Sequence, residues 1–277
     1  MILSYLVLAA TLLAIFLLVL FVLQEKLIFV ADALPDAFHF QFKTAYSERT
    51  LDLTVSGGDE KIHSLIFEPD KPHSLILYFH GNAGNLSSWG EVAEELAQNT
   101  NSVVWIMDFP GYGKSTGAIS SQLQLLSLAD MFGQKASAEA KARGLQFVIY
   151  GRSIGTGLAS YLASAQGCDL LVLESPYYSM GRMARRTLPF LPEFLLNFIL
   201  KYKLQQNLWL AQVKAPVLIF HGDRDATVPV QNSIDLKAEI PRLKLILLPG
   251  FEHGNIAQSP LYWSELKGTL NGKPPAL

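Results

Sequence analysis

Six short apolar segments recur along most of this chain, and they constrain its fold more than any other feature of the sequence. Each has four to six residues, and they lie at residues 75–79, 103–107, 147–150, 170–173, 217–220 and 243–248. Near-continuous apolar runs are typical of strands buried on both faces of a parallel sheet. Helical stretches separate several of them, at residues 89–98, 123–143 and 156–165. This alternation predicts an α/β fold, with a mostly parallel central sheet and helices on both faces.

The N-terminal segment is apolar enough to span a membrane. Residues 1–23 carry no charge, and all but Ser4 and Thr11 are apolar. About 20 helical residues at 1.5 Å each cross a hydrocarbon core of about 30 Å. A buried core helix and a cleaved signal peptide are the alternatives, but the run is longer than the roughly 7–15 apolar residues of a signal peptide. We predict one uncleaved transmembrane anchor, and Lys26 directly after it favours a cytoplasmic body.

Composition narrows the possible functions. The chain has 50% hydrophobic and 17% charged residues, whereas a disordered chain needs low hydrophobicity and high charge. Its 22 basic residues are balanced by 24 acidic ones, so it lacks the basic surface of a nucleic-acid-binding protein. The single cysteine, Cys168, excludes an intrachain disulfide and a thiolate metal cluster.

The body at residues 24–277 is long enough for one α/β domain. Near its start, two alternating segments within residues 48–67 flank Ser56-Gly57-Gly58-Asp59, which predicts an antiparallel hairpin at the sheet edge. The longest candidate loop covers residues 177–214 and contains an apolar run at 187–200, in which Pro192 predicts the start of a helix. This insert predicts a small helical lid that either packs on the core or contacts acyl chains and membrane.

A serine flanked by glycines follows the third apolar run. Gly151-Arg152-Ser153-Ile154-Gly155 lies between the strand at residues 147–150 and the helix at residues 156–165. Small residues permit a tight strand-to-helix turn, which lifts the hydroxyl above the sheet near a helix N-terminus that favours developing negative charge. A glycine-rich turn with a capping serine is the structural alternative. The strand before and the helix after favour Ser153 as a nucleophile.

A nucleophilic serine needs a histidine base, which in turn is oriented by a carboxylate. On an α/β sheet these residues follow the order serine, acid, histidine along the chain. Of the six histidines, His221 and His253 follow Ser153. His221 ends a strand and precedes any plausible loop acid, so we predict His253 as the base.

The acid should follow a strand and lie between Ser153 and His253. Asp225 meets this condition in the loop after the strand at residues 217–220, and we predict it as the acid. Asp223 in the same loop and Glu174 at the end of another strand stay open as alternatives. The structural alternative for Asp225 is the N-cap of the following helix.

Attack on an acyl carbonyl also creates an oxyanion, which needs preorganised N–H donors. One donor should be the backbone amide of Ile154, directly after the nucleophile. The other should lie after the first apolar run, where the sequence is His80-Gly81-Asn82-Ala83-Gly84-Asn85. We assign the backbone amide of Asn82, with Ala83 as the alternative. The chemistry needs no cofactor and no metal ion.

Five sequence blocks together resemble the α/β-hydrolase superfamily. They occur in the family's order, at residues 80–85, 108–115, 151–157, 221–229 and 253. They are particularly similar to membrane-tethered α/β-hydrolase-domain proteins, relatives of which remove acyl groups from proteins or lipids. The resemblance implies an α/β-hydrolase fold and a triad formed by Ser153, Asp225 and His253. It does not carry the substrate over, because this fold supports many reactions.

The sequence therefore predicts a membrane-anchored serine hydrolase. We expect it to cleave an acyl ester or thioester in a small molecule, a lipid or an acylated protein, and to bind no nucleic acid. A catalytically silent membrane-bound scaffold on the same fold is one alternative. A serine peptidase or an acyltransferase with the same triad is another.

Overall fold

A central sheet and the helices packed on it form most of the molecule. The structure, a computed structural model, describes residues 2–55 and 58–272. Its strands are β1 (Val30–Ala31), β2 (Tyr46–Val55), β3 (Gly58–Phe67), β4 (Ser74–Phe79), β5 (Ala83–Gly84), β6 (Ser102–Met107), β7 (Gln146–Arg152), β8 (Leu170–Glu174), β9 (Val217–Gly222) and β10 (Lys244–Leu248). Its helices are α1 (Ile2–Ile28), α2 (Leu86–Thr100), α3 (Gln122–Arg143), α4 (Gly155–Ala165), α5 (Met180–Thr187), α6 (Glu193–Ile199), α7 (Gln206–Gln212), α8 (Gln231–Glu239) and α9 (Pro260–Leu270).

The sheet is mostly parallel, as the apolar runs predict. In the described part of the chain its order is β10-β9-β8-β7-β4-β6-β3-β2. The strands from β10 to β6 are parallel neighbours, whereas β2 and β3 form an antiparallel hairpin at one edge. The edge hairpin is thus observed, although Ser56 and Gly57 of its predicted turn lie outside the described residues. The α/β architecture is confirmed.

Two hydrophobic cores cover the two faces of the sheet. Along β4, Leu77 contributes to one core and Ile76 to the other, because successive side chains of a strand point to opposite faces. Phe132 of α3 packs in the first core and Leu266 of α9 in the second. Burial on both faces is the reason why these strands are apolar along their whole length.

Three short helices, α5, α6 and α7, lie between β8 and β9 and form the lid. They occupy the predicted insert, and α6 begins directly after Pro192, as predicted. Three aromatic side chains of the lid are largely exposed: Phe190 by 67%, Phe194 by 74% and Phe198 by 84%. The lid therefore presents an apolar outer surface in addition to the face it packs on the core.

Helix α1 is the one helix in the described part of the chain that is long and apolar enough to cross a membrane. Its large apolar side chains are exposed, from Ile2 at 79% to Leu23 at 40%, which argues against a buried core helix. The helix does not end at residue 23 but continues through Glu25 and Lys26 to Ile28. The charges end the apolar run without ending the helix, since Glu and Lys are both good helix formers.

The C-terminal end of α1 is bonded to the lid. The side chain of Gln24 is buried; its Nε2 donates to the carbonyl oxygen of Ile199 at 2.7 Å, and its Oε1 accepts from the amide of Lys201 at 2.8 Å. Lys201 also pairs with Glu25 at 3.0 Å. These contacts join residues about 175 positions apart, so they fix the helix to the folded domain.

Candidate active site

Ser153 occupies a strained turn between β7 and α4. Its φ of +53° lies in the left-handed region, which a non-glycine residue rarely adopts, at a cost of about 1–3 kcal/mol. The turn is held by the amide of Ser153, which donates to the carbonyl oxygen of Glu174 at 2.9 Å. The turn is tight because only Ser153 and Ile154 connect the end of β7 to the start of α4.

Glycine at positions 151 and 155 permits this turn. A Cβ on Gly155 would lie 2.3 Å from the carbonyl oxygen of Phe79, at the end of the neighbouring strand β4. A Cβ on Gly151 would lie 2.6 Å from the carbonyl oxygen of Gly155. Both distances are too short for a carbon atom, so Gly155 lets the turn pack against the end of β4 and Gly151 lets α4 start directly above β7.

Asp225 and His253 are brought together from two loops after β9 and β10. The Nδ1 of His253 lies 2.7 Å from Oδ2 of Asp225. Because a carboxylate accepts hydrogen bonds, Nδ1 carries the proton and Nε2 is left as the basic nitrogen. The Asp225 side chain is fully buried, whereas that of His253 is 22% exposed. In the described residues no hydrogen bond joins Ser153 to His253, as is common before a substrate binds.

The environment of Asp225 keeps its carboxylate charged. Burial alone would raise its pKa, but hydrogen bonds from His221 and His253 and the amide of Val228 outweigh burial and hold the pKa well below its ordinary value. The other carboxylate oxygen, Oδ1, accepts from the amides of Thr227 and Val228 at 2.9 and 2.8 Å. These bonds fix the orientation of the carboxylate toward His253.

His221 supports this carboxylate. Its Nε2 lies 2.8 Å from the carbonyl oxygen of Val228 and 3.3 Å from Oδ2 of Asp225. A carbonyl oxygen can only accept, so Nε2 is protonated, and Nδ1 accepts from the hydroxyl of Ser233 at 2.6 Å. Both ring nitrogens are thereby occupied, and the ring is fully buried. This geometry leaves His221 no free nitrogen to act on a serine.

The two alternative acids have other partners. Asp223 accepts the amide of Gly250 at 2.6 Å and so closes the loop that precedes His253. Glu174 accepts from the hydroxyl of Tyr150 at 2.7 Å and pairs with Nε of Arg152 at 3.1 Å. Neither carboxylate is paired with the imidazole of His253 in the described part of the chain.

Sequence reasoning missed the role of Arg152 in this arrangement. Its guanidinium pairs with Glu174 and also donates to the carbonyl oxygen of His253 at 3.0 Å. It lies over the ring of Trp89, 5.1 Å from the ring centroid. Arg152 thus links the serine turn to the histidine loop. The sequence signal for this role is the location of Arg152 between Gly151 and Ser153.

Asn82 and Ile154, whose amides are the predicted oxyanion donors, line the same cavity as Ser153. In the described residues, neither amide donates an intramolecular hydrogen bond. The loop of Asn82 is held by its carbonyl oxygen, which accepts from the hydroxyl of Tyr112 at 2.7 Å and the amide of Val30 at 2.9 Å. Ala83, the alternative donor, lies in β5, which pairs with β1.

The cavity above Ser153 measures about 520 Å³, within the roughly 300–1,000 Å³ typical of small-molecule sites. Besides Asn82, Ser153 and Ile154, its lining comes from the end of α1, the lid helices α5 and α6, and loop residues such as Tyr177, Thr227 and Val228. Most of the lining is apolar. The cavity therefore suits a hydrocarbon group that leads to a polar reaction centre.

Basic residues flank the lid, but several are engaged within the chain. Arg186 donates to the carbonyl oxygens of Ala226 and Thr227 at 2.8 and 2.9 Å, next to Asp225. Arg182 is bonded to Asp235, and Lys201 to Glu25. These side chains hold the lid on the domain, so they are less available to bind anionic lipid headgroups, which a basic cluster beside an apolar segment would otherwise suit.

The sequence suggests the loop at residues 108–115 as a structural wall of the site, but it contributes no residue to the described lining of the cavity above Ser153. It supports the site indirectly, through the hydroxyl of Tyr112 on the carbonyl oxygen of Asn82. Asp108 is fully buried and accepts the amide of Leu86 at the start of α2 at 3.1 Å. Burial raises the pKa of Asp108 well above its ordinary value. In residues 2–55 and 58–272, no three His, Cys, Asp or Glu side chains are grouped as metal ligands.

Comparison with known proteins gives the same fold. A family model described as the alpha/beta hydrolase fold matches residues 74–203. The alpha/beta hydrolase domain-containing protein WAV2 of Arabidopsis thaliana is 28% identical over 213 residues, covering 70% of this chain and 69% of the relative. Protein bem46 of Schizosaccharomyces pombe is 30% identical over 176 residues, covering 60% of this chain and 56% of its own length.

Two solved structures are similar in fold. An esterase from Pyrococcus furiosus has a TM-score of 0.62 and 18% identity, and the match covers 89% of this chain and all of that one, at 100%. A thioesterase domain from the curacin biosynthetic pathway has a TM-score of 0.58 and 17% identity, and the match covers 82% of this chain and 100% of that domain. At this level of identity the likeness concerns the fold alone.

Proposed function

Because this chain belongs to the α/β-hydrolase superfamily, we propose that it is a membrane-anchored serine hydrolase, which cleaves a carboxylic ester or thioester. The observation that carries the proposal is the position of Ser153. It lies on a strained turn and opens into an apolar cavity beside two unengaged amides. The bond between Asp225 and His253 supports it further.

The first half of the reaction forms an acyl-enzyme. The Oγ of Ser153 attacks the acyl carbonyl carbon while Nε2 of His253 takes the hydroxyl proton. The amides of Asn82 and Ile154 stabilise the charge that develops on the carbonyl oxygen. The intermediate collapses when the bond to the leaving oxygen or sulfur breaks, and the imidazolium of His253 returns the proton to the leaving group. Asp225 orients the ring and stabilises its charged form throughout.

The second half releases the acid. A water molecule gives a proton to Nε2 of His253 and attacks the acyl carbon bound to Ser153. The second tetrahedral intermediate breaks its bond to Oγ, which regains the proton from His253. The names of the two fold neighbours, an esterase and a thioesterase, are consistent with either leaving group.

The membrane part of the proposal rests on α1. Its length, composition and exposed apolar side chains support a single span, and Lys26 supports a cytoplasmic domain. The substrate class that fits is an acyl-containing small molecule, lipid or protein at the membrane surface.

The first prediction concerns Ser153. Ser153→Ala removes the nucleophile, so we expect kcat/KM for a short p-nitrophenyl ester to fall on the order of 10⁴-fold or more. Ser264→Ala, on the exposed side of α9, is the matched control and should retain full activity. A fluorophosphonate probe should label the wild type and the control but not Ser153→Ala.

Three results would redirect the assignment. Wild-type activity in Ser153→Ala would contradict it. Absence of both turnover and labelling in the wild type would favour a binding or scaffold protein on this fold. Transfer of the acyl group to an added alcohol in preference to water would indicate an acyltransferase.

A further inference from the structure

We propose that α1 is part of the substrate site as well as an anchor, and that it guides a long acyl chain sideways from the bilayer to Ser153. This inference rests on the proposed function. Four residues from the last turns of α1 line the cavity: Leu20, Gln24, Leu27 and Ile28. Ser153 and Asn82 line the same cavity. The spanning segment and the reaction centre therefore share one continuous space.

The position of the cavity along α1 indicates where it opens. Gln24 marks the level at which the helix is bonded to the lid. At 1.5 Å per residue, Leu20 lies about 6 Å and Phe16 about 12 Å further along the helix toward its apolar end. Phe190 of the lid reaches that level, since its ring centroid lies 6.2 Å from that of Phe16. The lid and the part of the cavity that Leu20 lines thus stand beside the apolar run, which in the proposed span lies at the depth of lipid chains.

The opposite wall of the cavity is built for hydrocarbon. Met180 and Met183 of α5 and Leu196 of α6 line the cavity together with the end of α1. Methionine is flexible and adapts to chains of different shape. In the described lining no side chain is charged, so a sugar, a nucleotide or a polar peptide would lose its hydration without compensation. The occupant that fits is a single acyl chain.

The helix end also holds the oxyanion loop. The side-chain Nδ2 of Asn82 donates to the carbonyl oxygen of Ile28 at 3.1 Å, and the amide of Val30 donates to the carbonyl oxygen of Asn82. Gln24 holds the lid on the other side. One element therefore positions both the wall that contacts the chain and the loop that faces the carbonyl.

The test places a bulky side chain in the cavity. Leu20→Trp fills space next to the proposed chain, whereas Leu18→Trp lies two positions away on the same helix, at a residue that is 60% exposed. The full-length protein is assayed in mixed micelles with butanoyl and hexadecanoyl p-nitrophenyl esters. For Leu20→Trp we expect kcat/KM for the hexadecanoyl ester to fall about tenfold or more, and that for the butanoyl ester to stay within about twofold. Leu18→Trp should leave both unchanged.

The outcomes separate the inference from the function on which it rests. The inference is wrong if Leu20→Trp and Leu18→Trp have the same kcat/KM on each ester. The proposed function still stands in that case, provided that cleavage of the butanoyl ester depends on Ser153. If the wild type cleaves neither ester, both are wrong.

A second variant covers the case in which tryptophan disturbs folding. Leu20→Ala cannot crowd the site and removes chain contacts, so it should lower hexadecanoyl cleavage several-fold and spare butanoyl cleavage. If both Leu20 variants lowered kcat/KM equally for the two esters, Leu20 would not contact the long acyl chain selectively, and the inference would be contradicted.

Discussion

The backbone of Ser153 is strained because two neighbouring strands determine where it lies. Its amide bonds to the carbonyl of Glu174, and Arg152 is paired in register with Glu174 across β7 and β8. The motif around the serine was visible in the sequence, as was the order of acid and histidine. The link from Arg152 to Glu174 and to the carbonyl of His253 was not, because it depends on strand register and on a loop about 100 residues away.

A second prediction concerns the pH dependence of stability at Asp225. Its pKa is lowered in the folded protein, so the charged carboxylate stabilises the fold fully above the unfolded pKa of about 3.9, and this contribution is lost progressively as pH falls from that value through the lowered folded pKa. Asp225→Asn removes that contribution. The difference in melting temperature between wild type and variant should be largest above about pH 5 and narrow below about pH 4.

The control for this experiment is Asp52→Asn, at an exposed carboxylate on β2. It should shift the melting temperature little at any pH. If the difference in melting temperature between wild type and Asp225→Asn were as large at pH 3 as at neutral pH, the role given to the carboxylate would be contradicted.

Among the secondary-structure elements, α1 differs most from its sequence-based prediction. The apolar run correctly indicated a long helix, but the boundary at residue 23 was set by charge. Glu25 and Lys26 remain helical, and Glu25 is paired with Lys201. The strands were predictable because burial on both faces leaves a local signature. The docking of α1 on the lid was not, because it depends on contacts between residues far apart in the chain.

A third prediction addresses this docking. Gln24→Leu keeps the size of the side chain but leaves the carbonyl of Ile199 and the amide of Lys201 without their partner. We expect the free energy of unfolding in detergent to fall by about 1–3 kcal/mol, with a lower melting temperature. Gln98→Leu, on the exposed face of α2, is the matched control, for which a change within about 0.5 kcal/mol is expected. Equal melting temperatures for the two variants would show that the bonds of Gln24 add nothing.

Across the whole molecule, the apolar surface of α1 continues onto the lid. Phe194 and Phe198 are more exposed than most side chains of α1, and the contact of Phe16 with Phe190 brings the lid against the helix. The sequence indicated an apolar lid, but it left open whether the lid packs inward or faces lipid. The structure shows that the lid packs inward through Leu196, which is buried, and that Phe194 and Phe198 are exposed.

A fourth prediction tests the outer surface of the lid. Phe194→Cys and Phe198→Cys are labelled with a polarity-sensitive fluorophore in the full-length protein in phospholipid vesicles. Burial raises the pKa of the native Cys168 thiol to about 12, so that thiol reacts slowly near neutral pH. We expect strong quenching of both labels by lipids with brominated acyl chains.

Leu261→Cys on α9, which is 42% exposed on the other side of the sheet, provides the control for these labels. Its fluorescence should be unaffected by the brominated lipids. Quenching of equal strength at all three positions, or at none, would contradict a lid that faces the membrane.

The hydrogen bonds of Gln24 and Ile28 determine whether α1 can be separated from the rest of the domain. The helix that carries the apolar run also ends in contacts with the lid and with Asn82. Helix α1 is therefore not a detachable module. Under the proposals above, a foreign spanning helix would keep the protein at a membrane and take away one side of its cavity. A chimera that keeps these contacts has to exchange α1, the lid and the loop of Asn82 together.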